Sequence, residues 1–366
     1  MLSFIAQTIS NESNEHGFRH LAARRSGRSP VGDIQLFIDE NTTFIDLFAG
    51  IGGFRCALEQ LGAKCIWSSE IDKYACMTYE HNFHDDPSND ITKTDAADIP
   101  HMDIICGGFP CQAFSVSGKQ RGFEDARGTL FYDVLRIAEY HKPKMLFLEN
   151  VANLKQHDGG NTFRVMRACL DKAGYEVFDR ILASADYRVP QLRKRIYIVC
   201  IRKDIAEEHG ISQDNPFEFP EPMKDFVVLD DILDRDEATT ETYRIDRPDT
   251  YMELSDKQME KLTRQPKPIR IGHVNKGCQG ERIYSTKGTA ITLSAYGGGA
   301  GAKTGLYLVD GVVRKLSPAE CLRVQGFPDW YEFPAISDSQ RWKQTGNSVS
   351  VPVLHAIMEA ANAQLS

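Results

Sequence analysis

A cysteine stands on a glycine- and proline-containing loop directly after a short apolar run. The run Met102 to Cys106 predicts a buried strand, and Gly107-Gly108-Phe109-Pro110-Cys111 follows it. Glycines allow the backbone to turn sharply, and Pro110 fixes the dihedral before the thiol. Loops at the carboxyl ends of strands are where α/β sheets place their chemistry. Cys111 is therefore a candidate nucleophile, although a free cysteine taken alone is as often an inert apolar residue.

A carboxylate and two arginines follow further along the chain. Pro143 to Leu148 predicts an apolar strand that ends in Glu149-Asn150-Val151. If this strand neighbours the one before Cys111 in a parallel sheet, Glu149 lies beside the cysteine loop. Arg193 and Arg195 enter a later strand on alternate positions, so they point the same way. Facing outward they are solvated, and facing the site they bind a phosphate or a base carbonyl.

A glycine turn between a predicted strand and a predicted helix has the form of a nucleotide-binding opening. Thr43 to Phe48 predicts the strand, and Ala49-Gly50-Ile51-Gly52-Gly53-Phe54 follows. The third glycine of a dinucleotide fingerprint is replaced by Arg55, and the Lys-Ser/Thr of a P-loop is missing, which disfavours nicotinamide enzymes and NTPases. The next predicted strand ends at Glu70 and Asp72, where a carboxylate can hold ribose hydroxyls, and Asp90 at a later strand end could accept from an adenine amine.

The order of the predicted elements indicates the fold. The chain has 366 residues, which is enough for two domains. Strands and helices alternate up to Pro216 to Pro222, which predicts an α/β, Rossmann-like domain with a mostly parallel sheet. Beyond that boundary the sequence is interrupted by prolines and then rich in glycine, which predicts a smaller β-rich domain with long loops.

Charge is segregated along the sequence. The net charge of −8 argues against a protein that coats nucleic acid nonspecifically. Residues 221–260 carry 13 acidic and 5 basic side chains, whereas residues 264–288 carry 6 basic and 1 acidic. This distribution predicts a local basic face on an acidic protein.

The remaining composition excludes several classes of protein. Met1 to Ser10 lacks the basic start and apolar core of a signal peptide, and no apolar run approaches membrane-spanning length. No two of the nine cysteines have the spacing of a zinc knuckle. We expect a cytoplasmic protein with reduced thiols, no metal and no membrane contact.

Together these stretches resemble the motifs of the bacterial DNA (cytosine-5) methyltransferases, in the family's order. The resemblance extends from about Phe44 to about Ile357. It rests on Asp46 to Phe54, Pro110-Cys111, Glu149-Asn150-Val151, Gln191 to Arg195, Arg314 to Pro328 and Gly346-Asn347-Ser348-Val349. Gly280 to Thr304 looks most like the Hha-type members, which modify the inner cytosine of GCGC. Asn89 and Cys278 depart from the pattern, each standing where glycine is usual.

The resemblance implies transfer of a methyl group from S-adenosyl-L-methionine to C5 of a cytosine flipped out of duplex DNA. Cys111 would add to C6 of the base. Glu149 would hold and protonate N3, and Arg195 would support the base from its O2 side. The resemblance also places Arg193 among the catalytic residues. The cofactor would be contacted by Phe48, Ile51, Gly53, Glu70, Ile71, Asp90, Ile91, Pro110, Leu130, Asn347 and Ser348.

The resemblance also assigns DNA contacts. Gln279 and Ser117 would enter the gap left by the flipped base from opposite grooves, and Arg282 and Tyr296 would lie near the recognised base pairs. Thr292 would brace the recognition domain against the flipped nucleotide's phosphate. Cys278 adjoins Gln279, so the resemblance does not predict the backbone conformation there.

These implications give a domain map and a set of partners. Residues 41–220 would form the catalytic and cofactor-binding domain, completed by residues 343–366, and residues 221–342 the target-recognition domain and hinge. Residues 1–40 have no counterpart in the family; their polar, irregular sequence predicts a loosely ordered extension, with a basic arm that touches phosphates as the alternative. Asn347 is distant in sequence, so the C-terminal segment must pack back on the first domain. A monomer is sufficient, and the functional partner would be a restriction endonuclease of the same site.

Two alternatives stay open. A tRNA cytosine-5 methyltransferase shares the catalytic core, but the long domain between Arg202 and Arg314 argues against it. A catalytically silent DNA-binding protein is disfavoured by the intact set Cys111, Glu149 and Arg195.

Overall fold

The computed structural model describes residues 37–110 and 130–366. Two predicted site residues, Cys111 and Ser117, lie outside these ranges, as does most of the predicted extension. Residues 37–40 belong to the folded body, since Ile38 is buried and its amide donates to Asn362 Oδ1 at 2.9 Å. Within the described ranges no helix is both long and apolar enough to cross a bilayer.

A six-stranded sheet carries the first part of the chain. Its strands are β1 (Thr43–Leu47), β2 (Lys64–Ser69), β3 (Ile104–Gly107), β4 (Met145–Val151), β5 (Tyr175–Ala183) and β6 (Lys194–Arg202). The order is β2-β1-β3-β4-β6-β5. The first four strands are parallel, and β6 runs antiparallel to both of its neighbours. The predicted Rossmann-like, mostly parallel sheet is confirmed.

Helices cover both faces of this sheet, which explains why its strands are nearly continuous apolar runs. Side chains alternate between faces, so Phe44 enters one core and Ile45 the other. The helices are α1 (Gly53–Glu59), α2 (Lys73–Phe83), α3 (Leu130–His141), α4 (Asn161–Lys172), α5 (Lys203–Glu208), α6 (Glu237–Tyr243), α7 (Asp256–Glu260), α8 (Pro318–Gln325), α9 (Asp338–Asn347) and α10 (Val351–Leu365).

One motif position differs from the sequence prediction. The strand predicted to end in Glu149-Asn150-Val151 does so, because β4 pairs with β6 up to Val151. The prediction places Gly346 and Asn347 at the start of the last helix. In the structure they end α9, and α10 begins only at Val351, where Pro352 occupies the first turn and needs no amide partner.

A second, smaller sheet follows. Its strands are β7 (Tyr251–Met252), β8 (Ile269–His273), β9 (Arg282–Ser285), β10 (Leu306–Val309) and β11 (Val312–Arg314), in the order β11-β10-β9-β8-β7. The predicted β-rich region is confirmed. Leu322, Phe327 and Tyr331, which follow this sheet, pack into the core of the larger sheet beside α1 and α10.

The predicted basic face is partly neutralised. Arg264 forms an ion pair with Asp231, and Arg270 forms one with Glu253. The acidic segment therefore folds against the basic one, and separation along the sequence is not separation in space. Counting charges along the sequence therefore overestimated the number of basic side chains without an acidic partner.

A fully buried ion pair fixes α8 to the smaller sheet. Glu320 Oε1 lies 2.7 Å from Arg314 Nη2, and both side chains have no exposed surface. Glu320 also accepts from the Ser317 amide at 2.7 Å, and Ser317 in turn caps α8. Breaking one partner of such a pair leaves the other charge buried and unpaired.

We predict that Glu320→Ala lowers the free energy of unfolding by about 3–5 kcal/mol, because the Arg314 guanidinium loses its counter-ion in the interior. Urea unfolding measures the loss. The exposed pair Glu241 and Arg244, 3.0 Å apart, provides the control; Glu241→Ala should change stability by less than about 1 kcal/mol. Equal effects of the two substitutions would contradict the prediction.

Candidate active site

Three strands bring their carboxyl ends to one edge of the larger sheet. Leu47 of β1 pairs with Gly107 of β3, and Gly107 pairs with Leu148 of β4. Because parallel strands in register end together, the glycine turn after β1, the loop after β3 and Glu149 meet at this edge. The predicted neighbourhood of Glu149 and the cysteine loop therefore holds as far as Pro110, the last described residue of that loop, which is exposed.

Glu149 is buried beside an arginine of the next strand. Its exposed fraction is 7 %. Its Oε1 lies 3.0 Å from Arg195 Nε, an ion pair in which the N–H is not aligned for a hydrogen bond. Burial raises the pKa of Glu149, against the opposing effect of Arg195 and Arg193. The carboxyl can therefore carry a proton at a higher pH than an exposed glutamate does.

The space in front of Glu149 is kept open by a glycine. A Cβ on Gly108 would stand 3.6 Å from Glu149 Oε2. The side chain of Asn150, the next residue of β4, reaches the loop after β3, where its Nδ2 donates to the Phe109 carbonyl at 2.8 Å. This buried bond ties β4 to the loop that leads to Pro110 and Cys111.

The two arginines, which were predicted to point the same way, have different partners in the structure. Arg193 is 3 % exposed and donates to the carbonyls of Leu293 (3.2 Å), Gly346 (3.3 Å) and Ser348 (2.6 Å). Burial, assisted by the charge of Arg195, lowers its pKa to about 10. Arg195 is the arginine that meets Glu149, whereas the two terminal nitrogens of Arg193 bind backbone from two distant segments.

Gln191, two residues earlier, is a positioning residue. Its motif was noted in the sequence, but no role was predicted for it. It is fully buried; its amide nitrogen donates to Val324 O at 3.1 Å, and its oxygen accepts from Leu293 N at 2.9 Å. The available signal was its place in the Gln-x-Arg-x-Arg run. Gln191 and Arg193 together fix the segment around Leu293 against the larger sheet.

The glycine turn after β1 is tightly packed by the C-terminal segment. A Cβ on Gly53 would lie 2.4 Å from Val349 Cγ2 and 3.5 Å from Ser348 Oγ. The prediction that the C-terminal segment packs back on the first domain is confirmed. Ser348 is buried at this contact, Asn347 is exposed beside it, and Ile51 lies in the core under the turn.

Glu70 follows β2 and closes the turn from the other side. Its Oε2 accepts from the Gly50 amide at 2.8 Å, and its Oε1 accepts from the amides of Ile71 (2.8 Å) and Asp72 (2.7 Å). A carboxylate has roughly four lone-pair positions, so one acceptor position on Oε2 is left. The Ile71 side chain beside it is 76 % exposed.

An open depression continues from Glu70 and Ile71 to Asn89 and Asp90. Lys93, followed by Thr92, lowers the pKa of Asp90 to about 2, so this carboxyl is ionised at neutral pH. Asn89, where the family has glycine, donates from Nδ2 to Ser68 O at 2.9 Å.

Ile91 differs from its predicted role. Its side chain is 3 % exposed and packs in the core with Ile45 and Leu47, so it faces away from the depression. Two other predicted cofactor residues, Phe48 and Leu130, lie half-buried against that same core.

The predicted recognition residues lie on and beside the smaller sheet. Gln279 is exposed at the start of a 3-10 turn, Gln279–Glu281, whose Glu281 accepts from the Cys278 amide at 2.9 Å. Cys278 has a φ of −60°, so this position does not need glycine. Arg282 donates to Gly277 O at 3.3 Å, and Tyr296 is 75 % exposed.

Thr292 joins residues 289–295, called the recognition segment below, to the Gln191 to Arg195 run. Its hydroxyl donates to Leu192 O at 2.7 Å. On the other side of the same segment, a Cβ on Gly346 would stand 2.2 Å from the Ser294 carbonyl carbon. The segment is held between the Gln191 to Arg195 run and the end of α9.

Comparison with known proteins identifies relatives over most of the chain. The family model of the C-5 cytosine-specific DNA methylases matches residues 42–363. Type II methyltransferase M.HhaI of Haemophilus parahaemolyticus is 51% identical over 314 residues, which is 86% of this chain and 92% of that protein. Type II methyltransferase M.NlaX of Neisseria lactamica is 41% identical over 325 residues, 88% of this chain and 96% of that protein.

A solved structure shares the fold at low identity. The crystal structure of a Spodoptera frugiperda DNMT2 mutant superposes with a TM-score of 0.66 at 19% identity, covering 87% of this chain and 99% of that one.

We predict that the stability of Glu149→Gln relative to the wild type rises with pH. The folded-state pKa of Glu149 lies above its ordinary value of 4.5. The folded protein therefore binds this proton more tightly than the unfolded chain, and the wild type loses stability as pH rises through the folded pKa. Urea unfolding at about pH 5 and about pH 8 tests this. Glu139→Gln, the same change at an exposed position of α3, is the matched control; a pH-independent difference at Glu149 would contradict the prediction.

Proposed function

Because the chain belongs to the C-5 cytosine-specific DNA methylases, we propose that this DNA cytosine-5-methyltransferase modifies the inner cytosine of GCGC through a covalent Cys111 adduct. The observation that carries the proposal is the buried pair of Glu149 and Arg195, 3.0 Å apart, beside the strand end that leads into the Pro110-Cys111 loop. The GCGC site rests on the resemblance of Gly280 to Thr304 to Hha-type enzymes.

Cytosine C5 is a weak carbon nucleophile, which explains the need for a thiol. Addition of the Cys111 thiolate to C6 forms a carbon–sulfur bond and turns C5 into an enamine-like carbon. C5 then takes the methyl group. Loss of the C5 proton to a base and departure of the thiolate restore the aromatic ring, so the cysteine is regenerated.

Glu149 and Arg195 address the opposite edge of the ring. Thiolate addition builds negative charge at N3, and a protonated Glu149 donates to that nitrogen. Burial raises the pKa of Glu149 and so favours the protonated form. Arg195, paired with Glu149 in the apposed strand, supplies fixed positive charge toward O2. Arg193 acts on the protein, by holding the carbonyls of Leu293, Gly346 and Ser348.

The depression at the strand ends fits S-adenosyl-L-methionine. When bound, this cofactor supplies a methyl group on a positively charged sulfur. The free acceptor position on Glu70 suits a ribose hydroxyl, and ionised Asp90 suits an adenine amine. Exposed Ile71 offers an apolar surface to the adenine ring. The other proposed contacts are Phe48, Ile51, Gly53, Pro110, Leu130, Asn347 and Ser348, with Ile91 limited to its backbone.

Among the proposed DNA contacts, Gln279, Thr292 and Tyr296 are exposed and Arg282 is half-buried. The target base must leave the duplex, because neither its C6 nor its pairing edge is accessible there. Gln279, with Ser117, would fill the gap. Arg282 and Tyr296 would meet the recognised pairs, and one bidentate Arg–guanine contact gives about 1–3 kcal/mol of discrimination. Thr292 would brace the segment beside the flipped nucleotide.

The domain map stays a proposal, with one amendment. Residues 41–220 and 343–366 form the catalytic domain, and residues 221–342 the recognition domain and hinge. The core contacts of Leu322, Phe327 and Tyr331 favour an earlier return to the catalytic domain. We further propose a cytoplasmic monomer whose functional partner is a restriction endonuclease of the same site.

Bisulfite sequencing of a plasmid that carries the gene tests the target. We expect 5-methylcytosine only at the inner cytosine of GCGC, because residues 280–304 carry the recognition contacts. The matched control is the same plasmid with Cys111→Ser. Methylation at another motif would keep the enzyme and overturn the site assignment, and absence of DNA methylation with methylation of tRNA would move the substrate to RNA.

The covalent step has its own test. We predict that, with S-adenosylmethionine present, the wild type forms an SDS-stable complex with a GCGC duplex containing 5-fluorocytosine at the target, because C5 then carries fluorine beside the new methyl group and has no proton to lose, so the thiolate cannot depart. Cys111→Ser should bind the duplex in a gel-shift assay and form no such complex. Adduct formation by the serine variant would exclude Cys111 as the nucleophile.

A further inference from the structure

A salt bridge joins α9 to the residue that caps α2, next to Glu70 and Ile71 at the edge of the depression. Lys343 Nζ of α9 lies 2.6 Å from Asp72 Oδ2, and both side chains are about one-third exposed or less, at 26% and 33%. The pair joins residues 271 positions apart in the sequence. No role was predicted for Lys343 from the sequence.

Asp72 performs two separate tasks. Its Oδ1 caps α2 by accepting from the amides of Tyr74 (3.0 Å) and Ala75 (3.1 Å). Only Oδ2 faces Lys343. The Asp72 amide donates to Glu70 Oε1 at 2.7 Å, so one hydrogen bond connects the salt-bridge residue to the carboxylate proposed to hold the ribose.

The helix that carries Lys343 also ends at the cofactor side. Asn347 is the last residue of α9, and Ser348 follows it against the glycine turn. A second bond, from Thr78 Oγ1 of α2 to Gln344 Oε1 at 2.8 Å, lies directly beside the salt bridge. Helices α2 and α9 are thus joined at the level of the depression.

The charges of the pair persist at neutral pH. The hydrogen bond to Asp72 raises the pKa of Lys343 against the effect of burial, and Tyr296 and Glu70 add smaller contributions. Lys343 therefore faces carboxylates on the cofactor side and a tyrosine on the recognition side. The Lys343 ammonium group interacts most strongly with the Asp72 carboxylate, which lies beside Glu70 on the proposed cofactor side.

We propose that Lys343 is a positioning residue of the cofactor site: its salt bridge to Asp72 holds the wall with Asn347 and Ser348 against the wall with Glu70. This inference rests on the proposed cofactor. It concerns the assembly of the site, because Lys343 acts through Asp72 and not on the reacting atoms.

The test is the affinity of the full-length protein for S-adenosylhomocysteine, measured by isothermal titration calorimetry. Lys343→Met should raise the dissociation constant about three- to fivefold, the range of a partly exposed salt bridge. Lys343→Arg should restore affinity. In steady-state assays the KM for S-adenosylmethionine should rise for the methionine variant while kcat at saturating cofactor stays unchanged.

A second salt bridge supplies the matched control. Lys144 Nζ lies 3.1 Å from Asp103 Oδ1, with exposed fractions of 45% and 25%, at the amino ends of β4 and β3. Lys144→Met removes a comparable pair far from the depression and should leave the dissociation constant unchanged. Asp72→Asn keeps a capping oxygen and removes the charge, so it should repeat the Lys343→Met effect without adding to it in the double variant.

The outcomes separate this inference from the proposed function. If the wild type does not bind S-adenosylhomocysteine, the proposed cofactor is wrong. If the wild type binds and Lys343→Met binds equally well, the cofactor stands and the positioning role is excluded. If Lys343→Met loses affinity for duplex DNA alone, the lysine serves the recognition side and the proposal is overturned.

Discussion

The parallel pairing of β1, β3 and β4 is the constraint on which the site depends. In-register parallel strands must end at one edge, so the glycine turn, the Pro110 loop and Glu149 meet there although about 100 residues separate the first from the last. The antiparallel strand β6 then adds Arg195 from the opposite direction, which places its charge against Glu149. Reversing the direction of β6 is what allows one sheet edge to hold both the acid and the cation.

Hydrogen bonds to backbone carbonyls and amides, the buried ones from Gln191 and Arg193 and an exposed one from Thr292, hold the recognition segment in place. Gln191, Arg193 and Thr292 hold or extend from the run at residues 289–295, and the end of α9 packs against its other side. A buried donor or acceptor that loses its hydrogen-bond partner costs free energy, so these bonds favour one orientation of the segment. The catalytic edge, the recognition segment and the C-terminal segment therefore keep one relative placement.

In the part of the chain that the structure describes, many charged side chains are paired with an opposite charge. The acidic stretch before β8 neutralises Arg264 and Arg270, and a fully buried pair, Arg314 and Glu320, joins α8 to the smaller sheet. Contacts to phosphates supply a large part of the affinity of proteins for DNA, so the position of the unpaired basic side chains matters more for DNA contact than the net charge does.

The sequence by itself determined the family and the succession of strands and helices along the chain, and it supplied the candidates for the reactive groups, because glycine turns, apolar runs and a cysteine on a Pro-Cys loop are local signals. Glu149 and its position beside the loop followed from strand order. Only the tertiary structure decided that Arg193 binds backbone while Arg195 meets Glu149, that Ile91 faces the core, and that Lys343 pairs with Asp72. Those outcomes depend on which distant segment supplies the partner for each side chain, and the spacing of residues along a chain does not contain that information.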